Sequence, residues 1–184
     1  MLQEPKNIVV FDIEATGLSA EKDQILEIGA VLLEDREIVD RFQTFVSIKG
    51  GVPEQATKLT GITNLMLQGQ PGIQKALLMF RNFIKDYPLF AHNASFDYRF
   101  IQAKCKETGI VIDNDVYDTL KMARELLPTA SNHKLDTLCG YFGVANDNHH
   151  RADNDSEALS KILIVFLESL KRRGQDIGKF KVNK

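Results

Sequence analysis

The sequence predicts a single α/β domain built on a mixed five-stranded sheet. Three strand-like segments come first in the 184-residue chain, and further strand-like segments then alternate with helix-like ones. Short turns between the first three segments favour antiparallel pairing, whereas a strand–helix–strand order favours a parallel, right-handed crossover. The hydrophobic content of 43% and the charged content of 26% are ordinary for a soluble globular protein.

The three opening strands are predicted from apolar runs separated by polar turns. The first covers residues 7–13 and begins with the run IVVF, which indicates a buried strand. The second and third cover residues 24–33 and 37–47, and the charged turn EDRE joins them as in an antiparallel hairpin. Glycine and proline in GGVPEQATKLTGIT then end the β pattern before a short helix.

The second half of the chain predicts alternating helices and strands. Residues 72–85 carry apolar side chains at helical spacing, and YPLFAHN (87–93) is a short buried strand. A helix over 95–108 begins with Ser95 as its N-cap, and IVIDNDVYDT (110–119) is a fifth strand that leads into a helix closed by Pro128. Further helices are predicted over 133–142 and 153–173, so residues 1–173 form the domain. Residues 174–184 are basic and poorly periodic, which predicts a flexible tail.

Charge and cysteine content exclude several classes of protein. The formal net charge of -2 provides no overall basic field for nucleic acid, although local patches or bound cations can supply one. Cys105 and Cys139 lack the spacing of a structural zinc site and are expected to be reduced core thiols. No segment has the length of a membrane span. The chain is therefore expected to be cytoplasmic, without a membrane partner.

Four acidic residues occur at the ends of predicted elements, where a charge is unusual. Asp12 and Glu14 lie two positions apart after the first buried run, so their carboxylates share one face of the strand. Asp97 and Asp155 lie at the starts of helices, where each could simply favour the helix dipole. A shared explanation is a pair of Mg²⁺ or Mn²⁺ ions, because these ions prefer oxygen ligands and would neutralise the acids. Two such ions, about 3.5–4 Å apart, are used in phosphodiester cleavage.

Three motifs give the chain a resemblance to a known family. Residues 7 to about 173 resemble the DEDDh 3′–5′ exonucleases, which include the proofreading subunit of bacterial replicative polymerases. The motifs are FDIEATGL, HNASFD and HRADND, in the order found in that family. The resemblance implies an RNase H-like fold, a five-stranded mixed sheet flanked by helices.

The same resemblance implies roles for the acidic residues and for one histidine. Two divalent ions, Mg²⁺ or Mn²⁺, would be held by four carboxylates, with the first of them bridging: Asp12, Glu14, Asp97 and Asp155. His150 would be the general base that takes a proton from the attacking water. His149 is its rival, although the H-x4-D spacing to Asp155 and the small Ala152 favour His150.

The resemblance also assigns residues to the 3′-terminal nucleotide. They are Thr16, Gly17, Leu18, Ile62, His92, Asn93 and Phe96. Leu18 and the segment LTGIT (59–63), which contains Ile62, resemble the apolar wedge that packs on the last bases of the strand in that family. Core packing is an alternative for Ile62 and Phe96. Asn93 could instead shape the turn before its helix. Gly17 would allow a close approach because it has no Cβ. Ala15 departs from the family, since many relatives have threonine there, so one hydroxyl contact is absent.

The implied activity is metal-dependent 3′–5′ exonuclease action that releases 5′-mononucleotides from single-stranded 3′ ends. DNA is favoured over RNA, in proofreading or repair, and a DNA polymerase subunit is a possible partner. Two alternatives stay open: an RNA-trimming exoribonuclease of the same superfamily, and a catalytically idle module that binds nucleic acid or a polymerase. The sequence does not separate DNA from RNA, because that choice depends on how a site receives the 2′-OH.

Overall fold

A computed structural model describes residues 5–146 and 149–182 as a five-stranded sheet with helices on both faces. The strands run in the order β3-β2-β1-β4-β5. Their bounds are β1 Asn7–Ala15, β2 Ile25–Glu34, β3 Glu37–Phe45, β4 Leu89–Ala91 and β5 Val116–Asp118. The helices are α1 Glu54–Thr60, α2 Ile73–Ile84, α3 Ser95–Thr108, α4 Thr119–Leu126, α5 Leu135–Phe142 and α6 Ala152–Arg172. The predicted α/β class and mixed sheet are confirmed.

The sheet topology places the end of β1 at the centre of the molecule. β1, β2 and β3 form an antiparallel meander, while β4 pairs with β1 and β5 pairs with β4 in parallel. In the β1–β2 register Asp12 lies opposite Gly29, and Glu14 lies opposite Glu27. β4 and β5 contain three residues each, shorter than predicted, so much of the segments 87–93 and 110–119 is loop.

The apolar run of β1 divides between two cores because helices cover both faces of the sheet. Val9, Phe11 and Ile13 belong to one core, which includes side chains of α2 and α3. Ile8 and Val10 belong to the other core, which includes α4, α5 and much of the apolar side of α6. The strand therefore reads as an unbroken apolar run until it reaches Asp12.

Two local predictions differ from the structure. Ser95 is not an N-cap: the cap position is Ala94, whose backbone is already helical, and no side chain bonds there. Residues 174–182, the described part of the predicted flexible tail, include side chains that pack on the domain. Phe180 and Val182 are buried, and the Val182 N–H donates to the Val116 carbonyl at 2.7 Å, because this segment covers the outer edge of β5. The domain boundary at residue 173 stays a prediction.

Among the described residues, no helix combines the length and the apolar composition needed to cross a bilayer. The cytoplasmic location expected from the sequence stays a prediction. Cys105 and Cys139 are both buried and unpaired with one another.

Candidate metal centre and active site

The last residues of β1 and the first turns of α6 bring three carboxylates together. Asp12 and Glu14 project from the same face of β1, as the i, i+2 spacing predicts. Asp155, at the start of α6, joins them, and one carboxylate oxygen from each of the three lies within 4.8 Å of the others. Glu14 and Asp155 are buried, and Asp12 is half-buried. The structure thus brings together residues that are up to 143 positions apart in the chain (12 to 155).

Asp97 lies beside this cluster, on the first turn of α3. Its Oδ1 accepts a hydrogen bond from the backbone N–H of Ile13 at 3.3 Å, which ties α3 to the strand that carries Asp12 and Glu14. Its side chain is buried. Asp97 also raises the pKa of Asp12 and of Glu14 through its charge, so it shares their electrostatic environment.

Burial opposes ionisation of Asp12, Glu14 and Asp97, and the charges of neighbouring acids add to this effect at Asp12 and Glu14. Burial, followed by the charge of Asp97 and then of Glu14, raises the pKa of Asp12 well above its ordinary value. Burial and the charge of Asp155 raise the pKa of Glu14 to about 8, and burial raises that of Asp97 to about 8. Arg151 lowers the pKa of Glu14 but does not offset these effects. Within residues 5–146 and 149–182, positive charge therefore does not balance the acids, which is the condition under which a bound cation is favourable.

A divalent cation fits this donor set. The contributing groups are carboxylates, which are the ligands preferred by Mg²⁺, Mn²⁺ and Ca²⁺, and their oxygens already lie close together. The chemistry of the donors, together with the uncompensated charge, supports a site for a hard metal ion.

The start of α6 is held in place by residues that sequence reasoning missed. Glu27, fully buried on β2, accepts hydrogen bonds from Arg151 Nε at 3.1 Å and Nη2 at 3.0 Å and from the Ala152 N–H at 3.2 Å. Gly29 is needed because a Cβ there would overlap the backbone of Ala152. The sequence did contain a signal for this contact, because Glu27 is the charged residue in the apolar run ILEIGAV (25–31). Such a group, buried without a partner, would be costly.

The two histidines before α6 occupy different environments. His149 Nδ1 lies 2.7 Å from Asp155 Oδ1, and its Nε2 lies 2.7 Å from Asp136 Oδ1. The His150 N–H donates to Asp155 Oδ2 at 3.1 Å, and its ring lies against that of His149, with centroids 4.0 Å apart and the ring planes tilted by 31°. Burial and the neighbouring His149 lower the pKa of His150. His150 thus keeps an imidazole that is more readily neutral, while both ring nitrogens of His149 have carboxylate partners.

The loop after Glu14 differs in detail from the expectation for Thr16 and Gly17. The Thr16 hydroxyl donates to Asp23 Oδ1 at 3.1 Å and accepts from the Gln24 N–H at 2.9 Å, so it is used within the loop. A Cβ on Gly17 would lie 2.5 Å from Asp23 Oδ2, so a larger residue there would displace this carboxylate from its bonds in the loop. Leu18 is 83% exposed, as a residue that contacts a ligand must be. Asp23 was missed by the sequence analysis.

The residues after β4 are organised by the start of α4. The two ring nitrogens of His92 lie 3.0 Å from Thr119 Oγ1 and 2.7 Å from the carbonyl oxygen of His133, so the imidazole bridges two segments. Asn93 has a positive φ of 62°, and its N–H donates to Asp118 Oδ1 at 3.2 Å. Both residues therefore shape the turn that precedes Asp97, which is the alternative that the sequence left open for Asn93.

Ile62 is a correction to the expected substrate contacts. Its side chain is fully buried and packs with Leu26, Ala56 and Leu67, so it is out of reach of a ligand. In the same segment Leu59 is 58% exposed. Phe96 is half-buried, with its ring centroid 5.0 Å from that of Phe100, and it stays a candidate contact.

Comparison with known proteins decides the family. The sequence model of the exonuclease family (RNase_T) matches residues 9–163, which include each of the four acidic residues and His150. The chain belongs to the exonuclease family. The resemblance noted from the three motifs is therefore confirmed.

Curated relatives in this family are bacterial polymerases. The chain is 46% identical over 170 residues to the DNA polymerase III PolC-type of Caldanaerobacter subterraneus, covering 92% of this chain and 12% of that protein. It is 41% identical over 175 residues to the same-named protein of Bacillus subtilis, covering 94% and 12%. The chain thus spans about an eighth of the length of the curated relatives it matches.

Solved structures of exonucleases share the fold. The nuclease domain of 3′hExo, a DEDDh family member bound to rAMP, superposes with a TM-score of 0.77 at 22% identity, covering 89% of this chain and 92% of that chain. Exonuclease X in complex with 5′ overhanging duplex DNA has a TM-score of 0.74 at 23% identity, covering 94% and 96%. The fold is therefore RNase H-like, as in DEDDh exonucleases.

Proposed function

We propose that this chain is a metal-dependent 3′–5′ exonuclease that releases 5′-mononucleotides from single-stranded 3′ ends. The observation that carries the proposal is the convergence of Asp12, Glu14 and Asp155 within 4.8 Å, next to Asp97 and to a histidine pair. Membership of the exonuclease family supports the same reaction.

The four acids would hold two divalent ions, Mg²⁺ or Mn²⁺. When bound, the ions supply the positive charge that activates water and stabilises the leaving oxygen. The chain contributes a fixed set of oxygens: β1 orients Asp12 and Glu14, the Ile13 N–H orients Asp97, and the contacts of His149 and His150 orient Asp155.

His150 would act as the general base. Its lowered pKa keeps the imidazole neutral near physiological pH, so a ring nitrogen can accept a proton from an attacking water. His149 would position Asp155, since its ring nitrogens are 2.7 Å from Asp155 and from Asp136. The oxygen of the attacking water bonds to the terminal phosphorus as the bond from that phosphorus to the preceding 3′-oxygen breaks, and the 3′-oxygen becomes the new 3′-OH after protonation.

DNA is the proposed substrate class, in proofreading or repair. The support is the identity of 40% or more to proteins named DNA polymerase III PolC-type, which exceeds the 22% identity to the exonuclease domain bound to rAMP. A polymerase, either a separate subunit or flanking sequence, is the proposed partner. Removal of RNA 3′ ends is the alternative that the experiment below addresses.

The test is a time course on two 5′-labelled single strands of equal sequence, one DNA and one RNA, with Mg²⁺ or Mn²⁺. We expect a descending ladder that starts at the 3′ end, is faster on DNA and stops on addition of EDTA. The Asp12→Asn variant, folded by circular dichroism, is the control for contaminating nucleases. Intact strands under every condition would overturn the proposal in favour of a binding module, and faster RNA shortening would reassign the substrate.

A further inference from the structure

The loop of residues 16–24, which directly follows β1, is closed by one carboxylate. Asp23 Oδ1 accepts a hydrogen bond from the Thr16 hydroxyl at 3.1 Å, and Oδ2 accepts one from the Ser19 N–H at 2.8 Å. Backbone bonds add to the closure: Asp23 N–H to the Ser19 carbonyl at 2.7 Å, and Thr16 N–H to the Gln24 carbonyl at 2.9 Å. Both oxygens of Asp23 are therefore used inside the loop.

The path of the loop depends on close packing of this carboxylate against Gly17. A Cβ on Gly17 would lie 2.5 Å from Oδ2 and 2.7 Å from both Oδ1 and Cγ of Asp23. Side chains do not approach a Cβ so closely, so the observed position of the Asp23 carboxylate depends on glycine at position 17. The backbone conformation of the loop is thus fixed by contacts of the Asp23 side chain within it.

This closed loop presents an apolar side chain and free donors directly after the strand that carries Asp12 and Glu14. Leu18, between Gly17 and Ser19, is 83% exposed, although the residues around it are bonded together. Within residues 5–146 and 149–182, the N–H groups of Gly17 and Leu18 have no acceptor. The loop follows Glu14 by only a few residues, so these groups are available to a ligand bound at the acids.

We propose that Asp23 is a positioning residue for the substrate's 3′-terminal nucleotide. It holds loop 16–24 so that Leu18 contacts the base and the free N–H groups face the sugar or phosphate oxygens. The inference rests on the proposed exonuclease function, but it concerns binding of the strand end rather than the metal chemistry. Preorganisation of a binding loop strengthens binding because less conformational entropy is lost when the ligand binds.

The test is a double-mutant cycle with Asp23→Ala, Leu18→Ala and the double variant. Binding of a 5′-fluorescent oligothymidylate is measured by anisotropy with Ca²⁺, and kcat and KM are measured with Mn²⁺. Asp86→Ala is the matched control, since Asp86 is an exposed acid paired with Arg81 at 2.9 Å and precedes the start of β4, at the opposite end of the sheet from Glu14.

If Asp23 acts through Leu18, Asp23→Ala weakens binding and raises KM about tenfold, as for loss of hydrogen bonds to a charged group. The kcat value and the Mn²⁺-induced rise in Tm stay unchanged. Asp23→Ala weakens binding by a smaller factor in the Leu18→Ala protein than in wild type, because only the contacts of the N–H groups are left to lose. Asp23→Asn, which keeps one acceptor oxygen, restores part of the affinity. This variant, with Thr16→Val, carries the test if Asp23→Ala does not fold.

Three outcomes would overturn the inference. One is a lower Tm for Asp23→Ala with unchanged KM and binding, which is the signature of a structural role alone. Another is a double variant whose fold-loss of affinity equals the product of the fold-losses of the two single variants, which means that Asp23 and Leu18 act independently. The last is a wild-type protein that neither binds nor cleaves, which removes the proposed function as well. The first two outcomes, in a wild type that binds and cleaves normally, overturn only this inference and leave the proposed function intact.

Discussion

At the residue scale, Asp12 lies among acids whose negative charges oppose its ionisation. Burial and four neighbouring acids raise its pKa, and Arg151 is engaged with Glu27. An arrangement of this kind lowers the stability of the metal-free protein, and a site that needs charge for function explains why such a cost is retained.

Replacement of Asp12 should separate stability from activity. We expect Asp12→Asn to abolish exonuclease turnover and to raise the Tm of the metal-free protein at pH 8, because one member of a repelling group becomes neutral. Thermal unfolding with EDTA and with Mn²⁺ provides the measurement, and wild type should gain more from Mn²⁺ than the variant does. A variant that keeps substantial activity would remove Asp12 from the metal centre.

The histidine pair leads to a second prediction at this scale. His150→Ala should lower kcat by about 10²–10⁴-fold, the usual contribution of a general base. His149→Ala should have a smaller effect on kcat and should weaken the response to Mn²⁺, because it releases Asp155 from the contact at 2.7 Å. Paired kcat and metal titrations distinguish the two. Reversed effects would make His149 the base.

At the element scale, the N-terminus of α6 determines whether the site assembles. Asp155 belongs to this helix, and His150 precedes it, so both move with it. Two features of β2 fix the helix start: the buried Glu27, which bonds to Arg151 and Ala152, and Gly29, which leaves room for the backbone of Ala152. Packing between β2 and α6 therefore sets the position of Asp155 relative to Asp12 and Glu14 on β1.

Gly29→Ala tests this coupling. The new methyl group would overlap the Ala152 backbone, so we expect destabilisation of about 1–3 kcal/mol, typical of overpacking, together with loss of activity. Gly140→Ala is the matched control, because this exposed glycine in α5 has open space around its Cβ position and should gain up to about 1 kcal/mol from helix propensity. Urea unfolding and the oligonucleotide assay measure both. Full activity in Gly29→Ala would mean that α6 tolerates displacement.

At the scale of the whole molecule, the sequence predicted most of what local patterns encode. The strands β1 to β3 and the long helix α6 followed from apolar periodicity, whereas the grouping of the motif residues into one site was implied by the resemblance to the exonuclease family. Contacts distant in sequence were missed: the Glu27–Arg151 pair joins residues 124 positions apart, and no local pattern names the partner. For Ile62 the sequence left substrate contact and core packing open, and its burial with Leu26, Ala56 and Leu67 favours the core.

The whole molecule should also show a stability that depends on pH in a way that metal reverses. Glu14 and Asp97 have ordinary pKa values of 4.5 and 3.8 and values of about 8 in the folded, metal-free protein. Between these limits the folded state holds protons that the unfolded state releases, so stability falls as pH rises.

We expect the Tm in EDTA to decline from pH 6.5 to 8.5. This range lies above the ordinary histidine pKa of 6.5, because the pKa values of His92 and His150 are lowered and these side chains would affect stability at lower pH. A loss of 1 kcal/mol corresponds to about 2–4 °C for a domain of this size. Mn²⁺ should abolish the decline, because it stabilises the ionised acids. The Asp97→Asn variant should decline less in EDTA than wild type does. A wild-type Tm that is flat or rises with pH in EDTA would mean that the acids ionise without penalty, and that their charge needs no cation.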